Sequence, residues 1–161
     1  MRIGIIGPSK IEYLEGINPN AKKIIKEIIK KILNYEIAIV PDKGSVSEFF
    51  AKEYLKLGGK KVFNLAPFED KEFGVDYVNT EIGEKLSCGT WRNQPEKLNE
   101  ETDILLCVGY AVGVLTEIAY SKWFKPKPVY IIKELVSEEL PKEFNKSLNL
   151  IYLPYKDLNL K

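Results

Sequence analysis

The chain has 161 residues, and none of them is histidine. This absence excludes catalysis by a Ser-His-Asp or Cys-His system, zinc sites with imidazole ligands, and general acid–base chemistry by histidine. Any catalysis must use carboxylates, lysine, tyrosine, cysteine, arginine or the backbone. Cys88 and Cys107 are the only cysteines, and their spacing fits no metal or redox motif. We therefore expect no metal site, and reduced thiols as in a cytoplasmic protein.

Arginine is nearly absent. Of the 24 basic residues only Arg2 and Arg92 are arginines, which leaves 22 lysines. Lysine cannot replace the planar, bidentate guanidinium fork, so a rare arginine marks a candidate for anion recognition. Arg92 is the stronger candidate because it lies among polar and aromatic residues. An ordinary surface cation is the alternative interpretation.

Long apolar runs and a strong net charge are also missing. No run approaches the roughly 20 apolar residues of a membrane span, and the apolar segment at residues 3–6 is too short for a signal peptide. The net charge is +1, so no global field favours nucleic acid or a membrane surface as a partner. Without a linker or repeat, the chain predicts a single domain over residues 1–161.

The chain alternates between strand and helix patterns. The β-α-β-α-β order predicts the α/β class: a Rossmann-like, three-layer fold with a mostly parallel sheet and helices on both faces. Strands are predicted at residues 2–6, 36–40, 61–65, 104–108, 129–132 and 149–153, the last at a sheet edge, with a further short strand at 76–79. Helices are predicted after the Asn18-Pro19 cap, after a capping box from Ser45 to Glu48, before residue 103, from 114 to about 123, and weakly after Ser137.

One junction organises the rest. A buried strand led by Asp103 ends at Gly109, Gly113 allows a sharp turn, and a helix begins at Val114. A helix N-terminus offers free N–H groups and a positive dipole end, which suits a phosphate. Glu117 falls about one turn into this helix, where its carboxylate faces the same crevice. An ordinary turn between a strand and a helix is the alternative.

Two further loops are expected beside this junction, because ligands bind at the carboxyl ends of strands in open α/β sheets. They are Gly7-Pro8-Ser9 and Asp42-Lys43-Gly44-Ser45. A phosphorylated small molecule such as a nucleotide is the predicted ligand. Since there is neither a Walker A loop nor a Gly-x-Gly-x-x-Gly motif, a hydride-transfer enzyme is disfavoured. The candidate ligand-binding residues in these loops are Gly7, Ser9, Lys43, Gly44, Ser45, Gly109 and Gly113.

Four segments together resemble the lonely-guy-type superfamily. This group contains cytokinin-activating phosphoribohydrolases, long mislabelled lysine decarboxylases, and molybdenum-cofactor carrier-like proteins. Its signature is Arg-Asn or Arg-Lys, then an aspartate-led apolar strand, then Gly-Gly-x-Gly-Thr-x-x-Glu. The matching segments are Arg92-Asn93-Gln94, 103–109, 113–119 and 127–129. The resemblance covers most of residues 1–133.

The resemblance implies a Rossmann-like fold that binds a nucleoside monophosphate or related ligand, as a homodimer or higher homo-oligomer and without a resident cofactor. In the hydrolases the matching Arg and Glu are the catalytic pair. Carried over, Arg92 clamps the phosphate or orients the sugar, with Asn93 beside it as a ligand-binding residue. Glu117 stabilises the cationic sugar or positions the attacking water, since the transition state is oxocarbenium-like.

The sequence departs from this signature at the places where backbone meets phosphate. Tyr110 and Ala111 replace the Gly-Gly, Val114 replaces the Thr, and Asp42-Lys43-Gly44 replaces the first glycine-rich loop. Two functions therefore stay open: hydrolysis of the N-glycosidic bond of a nucleoside 5'-monophosphate, and non-catalytic binding or carriage of a nucleotide-like cofactor. A deoxyribosyltransferase-like enzyme that uses a Glu nucleophile and a purely structural role are further alternatives.

Overall fold

A parallel β-sheet forms the middle layer of the computed structural model, which describes residues 1–125 and 127–160. Within these residues seven strands make one sheet in the order β4-β3-β2-β1-β5-β6-β7, and every neighbouring pair is parallel. The predicted three-layer α/β fold is thus confirmed. The strands are β1 (Arg2–Ile6), β2 (Glu36–Ile39), β3 (Lys61–Ala66), β4 (Glu84–Ser87), β5 (Ile104–Cys107), β6 (Pro128–Ile132) and β7 (Asn149–Leu153).

Helices cover both faces of this sheet. They are α1 (Ile11–Ile17), α2 (Ala21–Ile32), α3 (Val46–Lys56), α4 (Gln94–Glu100) and α5 (Val112–Tyr120), with short 3-10 turns after residue 120. Successive strand side chains point to opposite faces. Ile5 accordingly packs into the apolar cluster of α1, α2 and α3, while Ile6 packs with α4 and α5. None of the helices among the described residues has the length and apolarity to span a membrane.

The strand order changes direction at β1: β2, β3 and β4 lie in succession on one side of it, and β5, β6 and β7 lie in succession on the other side. This strand lies between β2 and β5, with Gly4 opposite Ala38 on one side and Ile6 opposite Cys107 on the other. The carboxyl ends of these three central strands therefore meet at one edge. Such a switch point is where an open α/β sheet leaves a crevice.

The region between β1 and α2 differs from the prediction. Asn18 does not cap a helix that starts at Pro19: it ends α1, a helix that the sequence patterns did not reveal. The side-chain oxygen of Asn18 accepts a 2.9 Å hydrogen bond from the Asn20 N–H, and α2 begins only at Ala21. Asn side chains stabilise turns in this way, which is why the same signal fits a turn as well as a cap.

Two further predicted elements were wrong. Residues 76–79 form no strand but only a single antiparallel bridge between Asp42 and Val78. The strand lies later, at β4, which is exposed at the sheet edge and so lacks the apolar run used for prediction. Ser137 caps no helix; a 3-10 turn at Lys142–Lys146 follows Pro141 instead. The predicted domain of residues 1–161 includes Pro126 and Lys161, which lie outside the described residues.

Candidate functional site

A cleft of about 450 Å³ opens at the carboxyl ends of β1, β2 and β5. This volume lies within the range of roughly 300–1,000 Å³ typical of small-molecule sites. The β1–α1 loop, the β2–α3 loop and the start of α5 form three walls, and the segment that leads into α4 forms a fourth. The polar, glycine and aromatic residues that line it include Gly7, Ser9, Asp42, Ser45, Ser47, Trp91, Gln94, Gly113, Thr116 and Glu117.

The N-terminus of α5 is open to the cleft. Its N-cap residue, Ala111, has extended backbone and provides no side-chain cap. The first helical hydrogen bond runs from the Leu115 N–H to the Ala111 carbonyl at 3.0 Å. The three preceding N–H groups, of residues 112–114, therefore have no acceptor within the helix. With the positive end of the dipole, they form a place for an anion.

The turn into α5 was predicted at the wrong glycine. The helix begins at Val112, so Gly113 is its second residue rather than the turn, and a Cβ there would meet no atom within 4 Å. Gly109 makes the turn, with φ of +126°. A Cβ at Gly109 would lie 2.8 Å from a Leu14 carbon and 2.9 Å from a Pro8 carbon. Gly109 does not line the cleft. Glycine is required at this position because of the backbone conformation and the close packing.

The N-terminus of α3, by contrast, is closed by its own side chains. The Ser45 Oγ accepts from the Glu48 N–H at 3.0 Å, as the predicted capping box requires. Glu48 reaches back to accept from the Gly44 N–H at 2.8 Å. Its other oxygen accepts from Asn79 Nδ2 at 2.7 Å and lies 2.8 Å from Lys52 Nζ. Since an acidic group already occupies this helix end, it is not a place for a ligand phosphate.

Glu117 is buried in the cleft wall, with only 9% of its surface exposed. Its Oε1 accepts a 2.9 Å hydrogen bond from Gln94 Nε2, which is its one polar partner among the described residues. The pKa of Glu117 is raised to about 7: burial is the main cause, the negative charge of Asp42 also raises the pKa, and the Gln94 hydrogen bond partly offsets them. Glu117 therefore titrates near neutral pH, and its Oε2 is available to a ligand.

Asp42 adds a second carboxyl group to the same cleft. Burial raises its pKa to about 6. Within the part of the chain that the structure describes, its Oδ1 is buried without a hydrogen-bond partner. Among the described residues that line the cleft, none is a lysine or an arginine. The acidic side of the cleft therefore attracts hydrogen-bond donors and repels oxyanions, and an anion fits only at the α5 N-terminus.

Trp91 forms a rigid part of the opposite wall. Its backbone N–H donates to Asp70 Oδ2 and its Nε1–H donates to the Gly74 carbonyl, both at 2.9 Å. The Tyr77 ring stacks on it with centroids 5.2 Å apart and planes 12° apart. Trp91 is thus held by one backbone hydrogen bond, one hydrogen bond from its indole and a ring contact before any ligand binds.

Arg92 lies outside the cleft, although it follows Trp91 directly. Its Nη2 donates to Glu72 Oε2 at 2.8 Å, and its guanidinium lies 5.7 Å from the centre of the Phe73 ring. Its side chain is 68% exposed. The neighbouring Asn93 is exposed and accepts from the Thr90 hydroxyl at 2.8 Å. The structure therefore does not bring Arg92 and Glu117 together.

The remaining predicted residues divide between wall and periphery. Gly7, Ser9 and Ser45 line the cleft. Lys43 does not, because its Nζ donates to the Asp76 carbonyl at 2.7 Å, and Gly44 occupies a turn with φ of +82°. Sequence analysis missed Gln94 as the partner of Glu117, and no local signal pairs residues 23 positions apart. It named Asp42 only as part of the loop that replaces the first glycine-rich loop, although a position just after a central strand is where site residues lie.

Several solved structures share this fold. A molybdenum cofactor binding protein from the phototrophic bacterium Rippkaea orientalis has a TM-score of 0.72 at 17% identity, over 96% of this chain and 90% of that one. A Moco carrier protein from Chlamydomonas reinhardtii has a TM-score of 0.71 at 19% identity, and the match covers 96% of this chain and 90% of that one. TM1055, a structural genomics target, has a TM-score of 0.64 at 14% identity, and the match covers 97% of this chain and 94% of that one. No family model and no curated protein matches the sequence. At these identities the likeness is one of fold.

Proposed function

We propose that this protein binds and carries a phosphorylated, nucleotide-like cofactor in the cleft without altering it. The uncapped N-terminus of α5 is the observation that carries the proposal, because it opens on a cleft of ligand size at the switch point of the sheet. The ligand phosphate lies against the N–H groups of residues 112–114. The rest of the ligand extends toward Glu117 and Trp91.

The structural neighbours support a carrier. Two of those described above are named for binding or carrying the molybdenum cofactor. A phosphorylated pterin of that kind and a nucleoside monophosphate each contain a planar heterocycle and a phosphate group at opposite ends of the molecule. Both therefore suit a cleft that has an anion site at one end. We propose this class of ligand as the cargo.

Hydrolysis of a nucleoside 5'-monophosphate is the second candidate. Glu117 favours it, since a buried carboxyl group beside the anion site could act on a sugar. The exposed Arg92, paired with Glu72 outside the cleft, argues against it because half of the catalytic pair is missing. Chromatography after incubation with a panel of nucleoside monophosphates separates the two functions. The carrier predicts no free base, whereas release that Glu117→Gln abolishes would establish the enzyme.

A change at Gly113 tests the proposed phosphate position. Because a Cβ there meets no atom within 4 Å, Gly113→Asp should fold and place a negative charge at the helix N-terminus. We expect it to weaken binding of GMP or neopterin monophosphate at least about tenfold, or 1.4 kcal/mol. Gly113→Asn is the matched neutral control and should bind within about threefold of wild type. Equal affinity of the two variants in calorimetry would contradict the proposed phosphate position.

A further inference from the structure

We infer that the cleft recognises the ring of its ligand, and that it selects a 2-amino-4-oxopyrimidine ring such as that of guanine or a pterin. The face of the ring stacks on Trp91, and its N–H edge donates to the Glu117 carboxyl group. This inference rests on the proposed function and adds to it the chemical class of the ligand.

Trp91 has the properties of a stacking platform. Tyr77 stacks on the indole, both N–H groups of the residue are already bonded, and Trp91 is among the residues that line the cleft. It is therefore in place before binding, so little side-chain freedom is lost when a flat ring packs on it. Aromatic side chains bind all bases by stacking, so Trp91 supplies affinity for a planar ring rather than selectivity.

Glu117 supplies the selectivity. It is nine-tenths buried, Gln94 holds one oxygen, and the other oxygen has no partner among the described residues. At the pH of 8 used for the binding measurements below, which lies above its pKa of about 7, the Glu117 carboxyl group is mostly ionised and only accepts hydrogen bonds. Asp42, on the neighbouring wall, adds a second acidic group, although its unpartnered Oδ1 is itself buried. A ligand edge that presents N–H donors satisfies the free Glu117 oxygen, and an edge that presents acceptors leaves it unpaired.

Guanine and pterin carry such an edge in the ring N–H and the adjacent 2-amino group. Hypoxanthine keeps the ring N–H but lacks the amino group. Adenine turns an unprotonated ring nitrogen toward the carboxylate, which is repulsive. Because a site with buried polar groups strongly rejects analogues that leave those groups unpaired, we expect affinity to fall in the order GMP, IMP, AMP.

The experiment uses Trp123→Phe, which leaves Trp91 as the only tryptophan of the two in the chain. Trp123 is 74% exposed, so this change should not disturb the fold. We expect GMP to quench Trp91 fluorescence and to bind at least ten times more tightly than IMP in calorimetry at pH 8. Neopterin monophosphate is the second arm: tighter binding than GMP identifies a pterin as the natural ring, and weaker binding identifies guanine.

Glu117→Gln should reduce the ratio of GMP to IMP affinity to below about threefold while circular dichroism reports an intact fold. Glu72→Gln is the matched control outside the cleft and should leave the ratio unchanged. Equal affinities for GMP, IMP and AMP would overturn the inference and leave the proposed function standing. A ratio that survives Glu117→Gln would overturn the role of Glu117. If none of the phosphorylated probes binds, the proposed function fails as well.

Discussion

The two helix ends that face the cleft, those of α3 and α5, differ in how much of their bonding capacity the chain itself uses. Each helix has an almost buried glutamate, Glu48 at 8% exposure and Glu117 at 9%. Burial alone raises the pKa of Glu48, but hydrogen bonds from Asn79, Lys52 and the Gly44 N–H outweigh it and leave the pKa below its usual value. Among the described residues the Glu117 carboxyl group has only Gln94 as a hydrogen-bond partner, and burial raises its pKa to about 7.

Similar residue exposure thus accompanies opposite pKa shifts, because the Glu48 carboxylate has more hydrogen-bond partners and a nearby lysine, and because the Glu117 carboxyl group is more deeply buried. At the α3 end the Val46 N–H donates to the Pro8 carbonyl, the Glu48 N–H donates to the Ser45 Oγ, and the Glu48 carboxylate accepts from the Gly44 N–H. At the α5 end the N–H groups of residues 112–114 and one Glu117 carboxyl oxygen have no partner among the described residues. Groups left unsatisfied in a cleft are typical of binding and catalytic sites, where pKa values are perturbed. The comparison therefore supports a structural role for the α3 end and the proposed ligand site at the α5 end.

The largest expected effect is on the stability of Glu117→Gln. The Glu117 pKa of about 7, against an ordinary value of 4.5, means that the folded state holds this proton more tightly than the unfolded state. Wild-type stability should therefore fall as pH rises from about 4.5 to about 7, by roughly 3 kcal/mol from this group. In urea unfolding, Glu117→Gln should match wild type at pH 4 and exceed it by about 3 kcal/mol at pH 8. A variant that is less stable than wild type at pH 8 would contradict the account of α5.

Glu48→Gln should have the opposite sign. The lowered pKa of Glu48 means that its ionised form stabilises the fold above about pH 4.5, and that this contribution is lost as pH falls through the folded-state pKa. The amide keeps one acceptor but turns an NH2 group toward a bonded donor. We expect a loss of about 2 kcal/mol at pH 8, and a smaller one in acid, by the same urea method. If Glu48→Gln were stabilising at pH 8, the contrast between the two helix ends would not hold.

Ser45→Ala tests the same contrast between the α3 and α5 helix ends, and its expected effect is the smallest of the three. Because the Ser45 Oγ caps α3, its removal should cost about 1 kcal/mol of stability in thermal or urea unfolding. Ligand affinity should stay within about twofold of wild type. Ser45 lines the cleft and was predicted from the sequence to bind ligand, so a tenfold loss of affinity in calorimetry would restore that role and open the α3 end to the ligand.

Much of the fold could be predicted because apolar runs and periodic isoleucines report burial directly. The central strands, the Ser45 cap and the edge strand β7 were each predicted within a residue or two. The failures were elements with little apolar signal: α1 is only seven residues long, and β4 has two exposed and two half-buried residues. The homo-oligomer implied by the family resemblance stays a prediction.

The candidate site was less predictable, because it depends on contacts between distant segments. Glu117 could be proposed from its position after a strand and a glycine. Its pairing with Gln94 and its proximity to Asp42 appear only when α4 and the β2–α3 loop fold beside α5. Arg92 matched a motif, but its side chain bonds to Glu72, away from the cleft. A rare residue type marks a candidate, whereas the direction of its side chain is set by the tertiary fold.

The most direct test is an amide chemical-shift titration of the 15N-labelled protein with GMP. The account predicts that the N–H signals of residues 112–114, at the open end of α5, shift strongly, as hydrogen bonding to a phosphate requires. The signals of residues 46–48, at the closed end of α3, should move little. Strong shifts at α3 with none at α5, or no shift at either helix end at millimolar GMP and neopterin monophosphate, would contradict a ligand site at the α5 N-terminus.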